Sequence, residues 1–269
     1  MGIGRMEAAK DGHNGQVVVA SLNTRGMPLR RSRLRARYAA IAAAFETSSV
    51  QVVNFQEVLT YYHFRLLAQG LPTFRGVYRP SAAGPAGGVV TFSRLPVESV
   101  RYQRSPAPRS TELSLRWRGF LKGALVSRID GMCFVNVHLL ANTDGSWSAE
   151  NRFHPIHRAQ LASFARLLGE VASPCVVTGD FNIPRHKSLV QEFLATTGLA
   201  DAFDGQCPPT FQAAYLSVGM RSQCIDFALL SGVKATDTEL LFPNEKPGLG
   251  YVSDHLGLRA RLVKSLPDS

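Results

Sequence analysis

Apolar residues in this chain gather in short β-branched runs separated by longer stretches with helical spacing. Val17-Val18-Val19-Ala20-Ser21-Leu22-Asn23 reads as a strand, and 50–55 as a second one ending at Gln56-Glu57. Between them, over 28–47, Leu34, Tyr38, Ile41 and Phe45 recur at helical spacing. Arg30, Arg31, Arg33, Arg35 and Arg37 fall on the solvated side of that helix's first turns, with phosphate contact as their alternative role. A helix over 61–68 precedes strands at 87–93 and 123–129, and Asp130-Gly131 marks a hairpin into 132–138. A long helix over 156–171 leads to the apolar run 174–177 and the stretch TGDFNIP at 178–184, with strands at 224–230 and 256–262 to follow. Loops are expected at 79–86, 104–110, 141–155 and 243–253. None is long enough to separate domains, so the pattern predicts one α/β domain with two packed sheets and outer helices.

Composition narrows the picture. The chain has 269 residues, of which 45% are hydrophobic and 19% charged, enough to bury a full core. No run reaches the roughly 18 apolar residues that span a bilayer, and the start lacks the apolar centre of a secretory signal. A soluble, cytoplasmic protein is expected, with residues 1–15 as a flexible N-terminal segment. Four cysteines show no CxxC spacing; Cys133 and Cys175 lie in strand-like runs as buried free thiols, and a Cys207–Cys224 bridge stays open. The net charge of +10 favours an anionic partner: nucleic acid, an acidic membrane surface or a phosphate-bearing substrate. Nothing in the sequence calls for an obligate protein partner.

The ends of separate strands repeatedly carry acceptors and imidazoles: Asn23, Glu57, His138, Asp180 with Asn182, Asp226, and Asp254 with His255. Strands ending at one rim would bring them together on a rigid scaffold. Each has a local alternative: Asn23 in a turn, Glu57 or Asp254 as a cap, Asp180 and Asn182 in an Asx turn. As a set they supply the parts of one reaction. Carboxylates and an amide make a hard oxygen site suited to Mg²⁺ or Mn²⁺. An Asp–His pair fixes an imidazole that can move protons or bind a phosphoryl oxygen, which equips the rim to attack a phosphodiester.

These residues resemble the motifs of the endonuclease/exonuclease/phosphatase superfamily. SLNTRG at 21–26, FQEV at 55–58, VNVHLLAN at 135–142, TGDFNIP at 178–184, IDFALL at 225–230 and SDHLGL at 253–258 follow its order. The resemblance implies a four-layered α/β sandwich, two mixed β-sheets packed face to face and flanked by helices, as a single catalytic domain over 16–265. It implies a divalent-metal-dependent phosphoric ester hydrolase with Glu57 as principal Mg²⁺ ligand, Asn23 near the metal and Asp254 as a further ligand. Asp180 would orient or deprotonate the attacking water, and Asn182 would hold it or a phosphate oxygen. His255, steered by Asp226, would be the acid/base or phosphate-binding imidazole, and His138 would bind the scissile phosphate.

His138 resembles the branch containing pancreatic-type deoxyribonucleases, neutral sphingomyelinases and deadenylases. GGVVTFSRLPV at 87–97, Lys122-Gly123, HLLAN and SDHLGL look most like its sphingomyelinase side. The resemblance therefore implies a phosphodiester in a phospholipid headgroup as substrate, with DNA or RNA as the alternative. The strand over 88–93 offers no carboxylate to pair with His138, where nucleases of this branch often place one. Two segments are candidates for contact with an anionic membrane: 142–155 with Trp147 and Phe153, and 240–251 with Leu241, Phe242, Leu249 and Tyr251. Local packing is the alternative for both. His13, His63, His154, His157 and His186 fall outside the motifs and are expected at the surface.

Overall fold

A computed structural model describes residues 16–27, 32–108, 111–216 and 219–264. The strands are β1 (Gln16–Asn23), β2 (Val52–Gln56), β3 (Arg75–Val77), β4 (Val90–Ser93), β5 (Val97–Arg104), β6 (Gly123–Ile129), β7 (Met132–His138), β8 (Cys175–Asp180), β9 (Ala200–Asp201), β10 (Asp226–Ser231), β11 (Val233–Leu241) and β12 (Gly257–Lys264). The helices are α1 (Leu34–Glu46), α2 (Tyr61–Gly70), α3 (Leu113–Phe120), α4 (His154–Gly169) and α5 (Ser188–Thr197). The strands form two six-stranded sheets ordered β11-β12-β1-β2-β4-β3 and β5-β6-β7-β8-β10-β9. Both are mixed: β1 pairs parallel with β2 and β7 with β8, whereas their other pairings are antiparallel.

Period-two alternation builds the layers. In β1, Val18, Ala20 and Leu22 pack outward against Tyr38, Ile41 and Phe45 of α1. Val19 points inward between the sheets, where it joins Val52, Phe134, Val176, Leu230 and Leu262. On the second sheet, Val135, Val177 and Leu229 face outward to meet Leu161 and Phe164 of α4 and Phe193 of α5. Helices therefore cover both outer faces, the expected four-layered sandwich. Central strands buried on both faces read as near-continuous apolar runs, which is why they were legible.

The inter-sheet layer changes character along its length. Towards one end its side chains are apolar; towards the other they are amides and hydroxyls bonded across the gap. Gln56 Nε2 donates to Asn136 Oδ1 at 2.8 Å and to Ser21 Oγ at 3.1 Å, and Asn136 Nδ2 donates to the carbonyls of Phe55 and Val90 at 2.9 and 3.0 Å. Asn54 Nδ2 donates to Thr178 Oγ1 at 2.9 Å, and Asn54 Oδ1 accepts from Thr91 Oγ1 at 2.6 Å.

Several expectations are corrected. Arg37 is not solvated: it is 2% exposed and donates to the carbonyls of Ser32, Thr24, Val252 and Arg25, tying α1 to three loops. The described helix begins at Leu34; Pro28, Arg30 and Arg31 lie outside the described residues, as do His13 and the segment 1–15. His63 and His157 are buried, each bonding a backbone carbonyl, of Gly26 and Leu140 respectively. Both candidate membrane segments pack locally. Phe153 is fully buried, Trp147 lies against the α4 core, Leu241, Phe242 and Leu249 lie against the α1 core, and Tyr251 meets Tyr215 edge-on. All four cysteines are free thiols. No helix among the described residues is long and apolar enough to cross a membrane.

The amide layer makes a test of sheet packing. Asn136→Ala removes the donor of the Phe55 and Val90 carbonyls, each costing about 1–3 kcal/mol, and one of the acceptors of Gln56 Nε2, which keeps Ser21 Oγ. A loss of about 3 kcal/mol or more is expected in urea unfolding, and a midpoint within error of wild type would contradict the packing role.

Candidate active site

Each central strand carries a rim residue two positions beyond a member of the amide layer, or is that layer's last member. Ser21 leads to Asn23, Asn54 to Gln56, Asn136 to His138 and Thr178 to Asp180, so alternation aims all of them into the same gap. Register then sets the neighbours: Asp180 lies opposite His138 on one side and Asp226 on the other. Gly179 is required between Thr178 and Asp180, since a Cβ there would lie 2.0 Å from the Val137 carbonyl oxygen at φ 144°.

Asp180 is the hub. Its Oδ2 accepts from Asn23 Nδ2 at 3.0 Å and lies 3.6 Å from His138 Nε2 and 3.8 Å from His255 Nε2. Its Oδ1 accepts the Asn182 backbone N–H at 2.8 Å. On the far side of its ring, His255 Nδ1 sits 2.9 Å from Asp226 Oδ2, and Phe211 packs edge-on to the imidazole. All of Asn23, His138, Asp180, Asp226 and His255 are buried.

Burial and charge act differently on the two imidazoles. Burial works to lower the His255 pKa, but the Asp226 and Asp180 carboxylates, with the Asp226 hydrogen bond, override it and push it up to about 10. His255 is thus an imidazolium at neutrality. His138 is held well below its ordinary value by burial first, then by the positive charges of Lys122 and His255, and is neutral. Burial raises the Asp180 pKa and the Asp226 charge adds to this, against the pull of His255, Asn23 and Lys122.

No carboxylate of β4 pairs with His138; Asp180 and the amine of Lys122 flank it instead. Lys122 Nζ lies 2.7 Å from His138 Nε2 and 3.2 Å from Nδ1. Burial lowers the Lys122 pKa, while Glu57 and Asp180 favour its charge. The sequence reading noted Lys122 as the opening of β6 and missed it as a site residue. The signal available was its place directly before β6, whose first four residues are Gly-Ala-Leu-Val and buried, on a strand that pairs with the His138 strand.

Asn182, Glu57 and Asp254 sit differently from the hub. β8 ends at Asp180, so Asn182 is not placed by strand alternation; it adopts φ 55° in an Asx turn closed by Asp180, and its Nδ2 donates to the Leu139 carbonyl at 3.1 Å. Phe181 does turn into the core. Glu57 leaves alternation at φ 60° and is half-buried beside the Gln56–Asn23 pair. Among the described residues its carboxylate has no hydrogen-bond or ion-pair partner, and its charge reaches Lys122, Tyr38 and His63. Asp254 is at the rim, where its Oδ2 pairs with Arg25 Nε at 3.4 Å and Arg25 stacks on Tyr215.

Donor chemistry separates two functions within the rim. Ligand atoms of Asp180, Asp226 and His255 lie within 4.8 Å of one another. His255 Nδ1 already meets Asp226 Oδ2 at 2.9 Å, a pairing suited to proton handling, while the donor set of the trio also fits a metal ion. Glu57, next to the Gln56 that pairs with Asn23, has a carboxylate with no partner among the described residues, and a carboxylate is the hard oxygen donor that Mg²⁺ or Mn²⁺ takes.

A profile of the Endonuclease/Exonuclease/phosphatase family matches residues 20–255. No curated protein matches the chain significantly. Among solved structures, TDP2 from D. rerio complexed with a single strand DNA product is 16% identical, covers 92% of this chain and 98% of its own, and superposes with a TM-score of 0.68. Sphingomyelinase C from Streptomyces griseocarneus is 17% identical over 91% of this chain and 99% of its own, at TM-score 0.66. An endonuclease/exonuclease/phosphatase protein from Bacteroides vulgatus is 20% identical over 93% and 99%, also at 0.66. With the profile spanning nearly every strand of the sandwich, the chain belongs to the endonuclease/exonuclease/phosphatase family and is a metal-dependent phosphoric ester hydrolase.

Proposed function

We propose that this chain is a Mg²⁺-dependent phosphodiesterase that releases a phospholipid headgroup, with Mn²⁺ as an alternative ion. The observation that carries the hydrolytic part is the convergence of Asn23, His138 and His255 on one oxygen of Asp180. Glu57 and Asn23 would hold the metal, and Asp254 would join them only by exchanging Arg25. A bound divalent ion supplies Lewis-acid polarisation of a phosphoryl oxygen. Asp180, with its raised pKa, takes a proton from the attacking water, which the Asn182 turn helps to position. Lys122 and neutral His138 meet the non-bridging oxygens, the lysine supplying the charge that His138 lacks. As the phosphorus–oxygen bond breaks, His255 donates its proton to the departing oxygen while Asp226 holds the ring.

The same fold serves a protein that holds single-stranded DNA and a sphingomyelinase, so fold alone does not choose. The charge of +10, which already sets every acid against a base, is the argument for a polynucleotide; ion pairs such as Arg185–Asp201 and Arg259–Asp237 leave that excess unchanged, and Arg37 and Arg94 turn theirs inward on backbone carbonyls. The headgroup reading rests instead on the resemblance of 87–97, Lys122-Gly123, HLLAN and SDHLGL to the sphingomyelinase side.

Labelled sphingomyelin and phosphatidylcholine in micelles, supercoiled plasmid and single-stranded RNA, each with Mg²⁺ or with EDTA, form the test. Headgroup release that stops in EDTA is expected; plasmid nicking without headgroup release contradicts the substrate reading. Glu57→Gln and His255→Ala should each lower kcat by about 10³-fold or more, and Lys122→Met lower kcat/KM by about 10²-fold.

The pH profile tests the Asp226–His255 pair. Because the folded pKa of His255 lies above the ordinary 6.5, its charge and the stability it brings are fully present below 6.5 and are lost as pH rises through about 10. Asp226→Asn removes the strongest raising influence, so the alkaline limb of kcat should move down by at least about one unit. An unmoved limb would exclude His255 as the acid.

A further inference from the structure

Large exposed apolar side chains are few among the described residues, and three of them fall in one short segment. Leu113, Trp117 and Leu121 are 69%, 68% and 65% exposed. Met27, Tyr62 and Met220 are exposed singly, which is ordinary, whereas a contiguous patch calls for a partner. The three residues are spaced i, i+4, i+8 along α3 and its C-terminal cap, and at about 100° per residue they form one stripe.

The opposite side of the helix anchors it. Leu115 is buried with Leu140, Phe153 and Ile156, and Gly119 lies against Ala107 and Ile156. By the same geometry Arg116 and Arg118 flank the stripe, each roughly 100° from its centre. Around α3, Arg104, Arg116 and Arg118 stand against one acid, Glu112, which pairs with Arg152. Pro106, Ala107, Leu113 and Trp117, with Arg104 and Arg116, line a cleft of about 480 Å³ beside the stripe.

We propose that α3 docks this protein on an anionic phospholipid bilayer, with Leu113, Trp117 and Leu121 in the headgroup–acyl boundary and Arg104, Arg116 and Arg118 on lipid phosphates. An apolar face flanked by arginines has the composition of a helix lying in a membrane interface, and Trp117 brings the amphipathic ring that such a depth favours. The placement matters because Leu121 directly precedes Lys122, whose amine touches His138. A bilayer seated on α3 would bring headgroups to the rim of the site. The docking face draws its purpose from the phospholipid reading, but it is measurable without turnover.

The test is sedimentation of the full chain with phosphatidylcholine vesicles with and without about one-third phosphatidylserine. Wild type should bind the anionic vesicles, less so as salt rises, and Leu113→Ser/Trp117→Ser/Leu121→Ser should lower partitioning by about tenfold or more. Arg116→Gln/Arg118→Gln should lose the preference for anionic vesicles. Hydrolysis of soluble bis(4-nitrophenyl) phosphate and the urea midpoint should stay at wild-type values in the triple-serine variant, separating docking from folding and chemistry. In a Trp147→Phe background, Trp117 emission should shift to the blue on vesicle addition. Failure of wild type to bind, or equal binding by the triple-serine variant, would each overturn the proposal. Vesicle binding without headgroup release would instead overturn the substrate reading and leave the docking face standing.

Discussion

The hydrogen bond from Gln56 to Asn136 crosses between the two sheets, and the placement of the site depends on it and its neighbours. Two apolar faces can slide over one another at little cost, because dispersion and burial are non-directional. Buried amides cannot, since each lost partner carries a desolvation penalty. Gln56, Asn136, Asn54 and Thr178 therefore fix the register of one sheet on the other at the end where chemistry is done. Alternation does the rest, and the next inward residues, among them His138 and Asp180, arrive at fixed separations.

Beyond the strands, the backbone is held in conformations that the surrounding contacts must sustain. Glu57 and Asn182 are non-glycine residues at φ 60° and 55°, one beside each sheet's rim. Gly26 lies so close to the loop after β2 that a Cβ would meet the Glu57 carbonyl oxygen at 1.8 Å. Such positions cost of order 1–3 kcal/mol each. Here they coincide with the residues that leave the strand pattern to face the substrate. Under the proposed function, the unpartnered Glu57 carboxylate would meet an ion and the Lys122 amine beside His138 would meet a phosphate.

The central strands and the polar residues at their ends were legible because double burial gives unbroken apolar runs and because site residues cluster where those runs stop. The edge strands were not. β5 reads VESVRYQR and β11 reads VKATDTELL with a bulge near Ala235, so neither shows a run or a clean alternation. α5 starts at Lys187 without a side-chain cap and α3 without one at Glu112, which removes the usual start signal. Arg37, His63 and His157 were misplaced for one reason: side-chain polarity predicts exposure, and backbone carbonyls left over by loops can override it. For the aromatics of 142–155 and 240–251 the sequence left membrane contact and local packing both open, and the loops fold the rings back onto the helical layers.

The central proposal is that this rim forms one divalent-metal site fed by oxygens from the first sheet, with Asp180 and Asp226 of the second sheet and His255, just before β12 of the first, handling protons. Calorimetric titration of Mn²⁺ into wild type, Glu57→Gln and Asp226→Asn addresses it without a substrate. Saturable binding in wild type, lost in Glu57→Gln and retained in Asp226→Asn, is the predicted result. Binding that survives Glu57→Gln and disappears with Asp226→Asn would move the metal to the Asp180–Asp226–His255 cluster and contradict the division of labour described above.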